Sequence, residues 1–80
     1  SDGINIAVYP NPTADILWFS LPWENATANV QISDGIRTIM ETNIEDKGGI
    51  EVAHLPAGLY FAVVRNNNTK EMQVIKFIKY

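Results

Sequence analysis

The chain has 80 residues, with six Lys or Arg, nine Asp or Glu, one His and no Cys, and a formal net charge of −3. A chain this small makes one domain and buries only about 60% of its unfolded surface, so it stands near the lower limit for a single core. The missing cysteine excludes disulfide staples and thiolate chemistry, and no apolar run approaches the roughly 20 residues of a membrane-spanning helix.

The charge is unevenly placed. Residues 1–51 hold eight acids against Arg37 and Lys47, giving −6, while residues 52–80 hold Arg65, Lys70, Lys76 and Lys79 against Glu71, giving +3. Four cations in an acidic chain are too few for a nucleic-acid footprint, so no nucleic acid is expected as a partner. No charged-then-apolar signal peptide opens the chain, and no membrane insertion is expected.

In chain order, Ser1-Asp2-Gly3 reads as a linker remnant or a cloning scar, and the domain runs over residues 4–80. Ile4, Ile6 and Val8 alternate with Asn5 and Ala7, the period-2 pattern of a half-buried strand. Tyr9-Pro10-Asn11-Pro12-Thr13 ends that strand in a rigid, exposed turn, because two prolines remove two backbone donors and restrict the residues before them. Asp15 to Leu21 predicts a second strand, with Leu17, Phe19 and Leu21 on one face and Ile16 and Trp18 on the other, one of which meets solvent or a partner.

A loop at Pro22 to Ala26 leads to a third strand, in which Ala28, Val30 and Ile32 alternate with Asn29, Gln31 and Ser33. Asp34-Gly35 predicts a type I′ hairpin into a fourth strand over Ile36 to Glu41. Thr42 to Lys47 reads as polar and irregular, Gly48-Gly49 as flexible punctuation, and Ile50 to Ala53 as a short fifth strand that His54 closes.

Leu55-Pro56-Ala57-Gly58 is a sharp reversal, because Pro56 fixes φ and Gly58 can take φ > 0. It feeds the most apolar run, Leu59-Tyr60-Phe61-Ala62-Val63-Val64, which predicts a central strand covered on both faces. Asn66-Asn67-Asn68-Thr69 then forms a loop in which asparagine can take left-handed conformations. The last strand spans roughly Lys70 to Lys79, with Met72, Val74 and Ile78 alternating against Gln73, Ile75 and Phe77.

Seven short strands without helical period predict an all-β chain, a seven-stranded, immunoglobulin-like antiparallel β-sandwich without disulfide. Chemistry is sparse by comparison. Zinc needs three or four close ligands, and His54 is the only histidine. Asp34, Glu45, Asp46 and Glu51 lack the spacing of a calcium loop. No nucleophile elbow surrounds a serine, and the adjacent Glu45 and Asp46 would point to opposite faces of a strand. No catalytic, metal or cofactor site is expected. Trp18, Trp23 and Tyr60 could form a sugar-stacking platform or fill the core. Asn25-Ala26-Thr27 and Asn67-Asn68-Thr69 fit the glycosylation acceptor pattern, which is common by chance.

Taken together, Tyr9-Pro10-Asn11-Pro12-Thr13, then Asp15-x-Leu17-x-Phe19, the Asp34-Gly35 hairpin, Leu55-Pro56-Ala57-Gly58-Leu59-Tyr60 and a lysine-bearing last strand resemble the type A C-terminal sorting domain of the type IX secretion system. The resemblance runs from about Ile4 to Tyr80. It implies a seven-stranded sandwich that ends a larger exported protein and is recognised by the outer-membrane translocon. It further implies removal by a sortase-like surface protease that joins the cargo to an anionic lipopolysaccharide. The protein would pass through the periplasm to the outer-membrane cell surface or the medium.

By the same resemblance, the family's turn motifs fall on Pro10, Asn11, Pro12, Gly35, Gly58 and Tyr60. The recognised terminal segment falls on Lys76, Phe77, Ile78, Lys79 and Tyr80. Lys70, Lys76 and Lys79 on the final strand could steer a receptor to a free strand edge, or they could block unwanted edge pairing. The same edge would permit a homodimer by strand pairing. The alternative from another class is an accessory carbohydrate-binding or spacer sandwich of a secreted enzyme.

Overall fold

The computed structural model describes residues 5–80. The expectations for Ser1-Asp2-Gly3 and Ile4 lie outside the described residues. Seven strands form: β1 (Ala7–Tyr9), β2 (Ile16–Ser20), β3 (Thr27–Ser33), β4 (Thr38–Glu45), β5 (Gly49–Glu51), β6 (Gly58–Asn66) and β7 (Met72–Lys79). They make a three-stranded sheet in the order β1-β2-β5 and a four-stranded sheet in the order β4-β3-β6-β7, antiparallel throughout. Among the described residues there is no helix.

The alternation of the sequence sets the two inner faces. Leu17 and Phe19 of β2, Val30 and Ile32 of β3, Ala62 and Val64 of β6 and Phe77 of β7 are fully buried between the sheets, and Ile50 and Val52 close the β5 side. Their neighbours one residue along turn outward. Trp18 and Ile16, on the outer face of β2, are about two-fifths exposed. They flank Gly49, where an added Cβ would stand 2.7 Å from the Trp18 ring and 2.8 Å from Ile16 Cγ2. Gly49 is therefore a residue of β5 that makes room for a cross-strand aromatic, rather than flexible punctuation.

The strand expected over Ile36 to Glu41 instead runs from Thr38 to Glu45, and so takes in part of the stretch expected to be irregular. Ile44, paired with Ala28, is its one buried residue, and the polar residues around it face solvent on a sheet edge. The turn before it is not type I′. Asp34 has no positive φ, Gly35 alone does (95°), and Asp34 Oδ1 accepts from the N–H of Ile36 (2.9 Å) and Arg37 (3.0 Å). The carboxylate closes a four-residue loop that a two-residue turn would otherwise have closed.

β6 is central in the four-stranded sheet, but it is covered on one face only. Tyr60, Ala62 and Val64 point inward, whereas Phe61 and Val63 are half-buried and Leu59 is exposed. The fifth strand starts one residue earlier than expected and ends at Glu51, after which Val52 N–H donates to Asp15 O (2.7 Å). In the asparagine loop the left-handed residue is Lys70 (φ 68°), not an asparagine. Buried Asn66 holds that loop, its Oδ1 accepting from the N–H of Asn68 (2.7 Å) and Thr69 (3.1 Å). The last strand accordingly begins at Met72 rather than Lys70.

Candidate recognition surface

The topology collects the turn motifs at one end of the sandwich. The hairpin between β3 and β4, the reversal before β6 and the end of β7 lie there by the register of the four-stranded sheet, and the turn after β1 joins them through the bonds of Asn11 and Thr13 to β7. Tyr9-Pro10-Asn11-Pro12 is exposed, as its two prolines imply. Its function in the fold is to cap β7.

Asn11 does this with its side-chain amide. Nδ2 donates to Lys76 O (3.1 Å) and Oδ1 accepts from Ile78 N–H (3.0 Å), so one side chain stands in for a strand segment across 65 or more residues of sequence. Thr13 continues the pairing with its main chain, donating to Ile78 O (2.9 Å) and accepting from Tyr80 N–H (3.0 Å) as a parallel bridge opposite Lys79. The buried Thr13 hydroxyl donates to Ile16 O (3.0 Å), which anchors the segment to β2. Thr13 carries no sequence signal beyond its place after Pro12.

On the other side, β7 pairs with β6, where Gly58 faces Lys79 and Tyr60 faces Phe77. The Tyr60 and Phe77 rings stack with centroids 5.7 Å apart at 23°. The Tyr60 hydroxyl donates to Pro56 O (2.6 Å) and so closes the reversal that feeds β6. Gly58, at φ 157°, has open space where a Cβ would stand. Gly35 reaches the same end, with its Cβ position 3.5 Å from the ring of Phe61, whose partner on β7 is Lys76.

The terminal segment therefore divides by alternation. Phe77 is fully buried and Lys79 is nearly so, its Nζ donating to Tyr80 O (2.8 Å). Lys76, Ile78 and Tyr80 are exposed. Two features expected of this segment do not hold: Lys79 points inward, and the edge from Lys76 to Tyr80 is occupied by Asn11 and Thr13 rather than open. A strand-end lysine reads as surface charge in sequence, and no local pattern signals a partner from the first turn.

Electrostatics add little chemistry. The Arg37 and Ile36 N–H groups hold the Asp34 carboxyl below the ordinary carboxylate range. His54 is an exposed turn residue after β5. Asp34 and Glu51 stand toward the motif end and Glu45 and Asp46 at the other, and among the described residues no group of three His, Cys, Asp or Glu is placed to hold a metal ion. The three aromatics considered for sugar stacking do not converge: Tyr60 is in the core, Trp23 packs partly against it from a loop, and Trp18 stands on the outer face of the smaller sheet. Two hollows of the surface lie at the opposite end, lined by Trp23, Asn25, Thr27, Glu45 and Asp46 and by the turn through Lys47 and Gly48.

The family described as the secretion system C-terminal sorting domain matches residues 7–79. Among solved structures, the chain is similar to PorZ, an essential bacterial surface component of the type IX secretion system of the human oral Porphyromonas gingivalis. The identity is 21% and the TM-score 0.67 over 99% of this chain, a likeness of fold. The chain spans 12% of the length of the PorZ chain. No curated protein matches it.

Proposed function

Since the chain belongs to the type IX secretion system C-terminal sorting domain family, we propose that it is a non-catalytic address that directs a larger exported protein across the outer membrane by that system. The secretion machinery reads the domain at its motif end. The translocon meets the outward side chains Lys76, Ile78 and Tyr80, while Phe77 and Lys79 hold the segment in place. After passage, a sortase-like surface protease removes the domain and anchors the cargo at the cell surface.

The observation that carries this reading is the gathering of the family's motif residues on the end of β7, with alternate terminal side chains exposed. A surface of one apolar, one cationic and one aromatic side chain suits recognition by a protein partner, and Lys76 adds charge steering. The strand order β1-β2-β5 and β4-β3-β6-β7, with the Tyr60 hydroxyl tied back to Pro56, supports an immunoglobulin-like architecture.

The test is a reporter with an export signal at its front and this domain at its end, displayed in a host with a type IX system. Lys76→Glu, Ile78→Asp and Tyr80→Ser together should lower surface display by about tenfold or more, as the loss of at least one good contact implies, with the melting temperature of the domain unchanged. Full display of that folded variant would remove Lys76 to Tyr80 from the recognised surface.

A further inference from the structure

The outer face of the four-stranded sheet is divided lengthwise. On β3 and β4 it is polar, with Glu41 Oε2 accepting from Asn29 Nδ2 (2.9 Å) and Gln31 Nε2 (3.4 Å). On β6 and β7 it is apolar, and Leu59 faces Ile78 while Val63 faces Val74. Leu59, Met72, Val74 and Ile78 are each about half exposed. The cations of this half face apolar residues rather than acids, Lys76 opposite Phe61 and Arg65 opposite Met72. A contiguous apolar ladder of this kind on a small domain marks an interaction surface.

The adjoining edge is half closed. The alternation that turns the N–H and C=O of Ile78 toward Asn11 and Thr13 turns those of Met72 and Val74 the same way. Among the described residues no strand lies beside them, because β7 ends the sheet and the capping segment stops at Lys76. Protected edges carry charges, bulges or prolines, whereas Met72 to Ile75 carries none of these.

We propose that β6 and the leading half of β7 form a docking surface for an extended acidic and apolar segment of a partner protein, added as a strand beside Met72 to Ile75. Backbone bonds to Met72 and Val74 give affinity, and acidic side chains near Arg65, Lys70 and Lys76 give register and sign. Charge argues against a second copy as the occupant: residues 52–80 carry +3, from four cations and Glu71, so pairing two copies through this edge sets like charges together. The added strand lies along Met72 to Ile75, the half of β7 that the address reading does not use; Lys76 borders both surfaces, and the proposal does not depend on that reading.

The experiment titrates residues 1–80 with two labelled eight-residue peptides, one alternating valine with glutamate and one alternating valine with lysine, and follows amide exchange. The acidic peptide should bind and slow exchange at Met72 and Val74, and the basic peptide should bind at least about tenfold more weakly. Val74→Pro removes an outward N–H without touching the β6 ladder and should abolish binding of the acidic peptide while the domain stays folded. Val74→Lys keeps the N–H but adds like charge, and should weaken it. Equal binding of both peptides, no binding of either, or binding without protection of Met72 and Val74 would overturn the proposal. So would self-association that buries this edge, or a preference for anionic lipid vesicles over the acidic peptide.

Discussion

The two halves of β7 alternate in the same way and stand oppositely in the fold. From Met72 to Ile75 the strand is held on one side only, by β6, and Met72 and Val74 are half exposed. From Lys76 to Lys79 it is held on both sides, by β6 and by Asn11 with Thr13, and Phe77 lies in the core under Tyr60. A terminal segment that looks like a free label in sequence is half keystone, and only alternate side chains remain to be read. Deleting it would remove core and cap together, so loss of export after deletion would not separate an unread signal from an unfolded domain.

The contrast can be broken most severely at Phe77. Phe77→Ala leaves a cavity under Tyr60 and should cost about 3–5 kcal/mol, enough to unfold much of a domain this small in urea titration. Val74→Ala, in the leading half, should stay within about 1 kcal/mol because its side chain is half in water already. Equal losses at the two positions would erase the distinction.

Asn11→Ala removes two hydrogen bonds to β7 and should cost about 1–3 kcal/mol, at roughly 0.5–1.5 per bond. Amide exchange should then quicken at Ile78 and not at Val74. Tyr60→Phe keeps the stack on Phe77 and loses only the bond to Pro56 O, so about 1 kcal/mol is expected in the same assay. The smallest effect belongs to Asp34, whose depressed carboxyl favours the folded hairpin at neutral pH. That contribution is complete above the ordinary carboxylate pKa and is lost as the pH falls through the lower folded value. An acid titration of the Ile36 and Arg37 amide shifts should follow it, and Asp34→Asn should flatten the curve with β7 unmoved.

Much of this fold is legible in the sequence because β-sandwiches announce themselves by alternation. Ala28, Val30 and Ile32 point inward, and Leu17 and Phe19 oppose Ile16 and Trp18, as their period requires. Three of the failures share a cause, which is a polar side chain replacing backbone. Asp34 closes its loop with a carboxylate, Asn66 does so with an amide, and Asn11 pairs with a strand 65 residues away. Composition marks such residues as turn formers but not their distant partners. Thr42 to Glu45 was illegible as strand because an edge needs only Ile44 inward. Lys79 turns inward by the same alternation that buries Phe77, but a lysine's residue type hides what its position implies.

The most direct measurement is sufficiency: a reporter with an export signal in front and residues 1–80 behind, localised in a host with a type IX system and in the same host without it. An address predicts reporter at the surface or in the medium only where the system is present. Periplasmic retention of a reporter whose appended domain is folded, in the competent host, would contradict it.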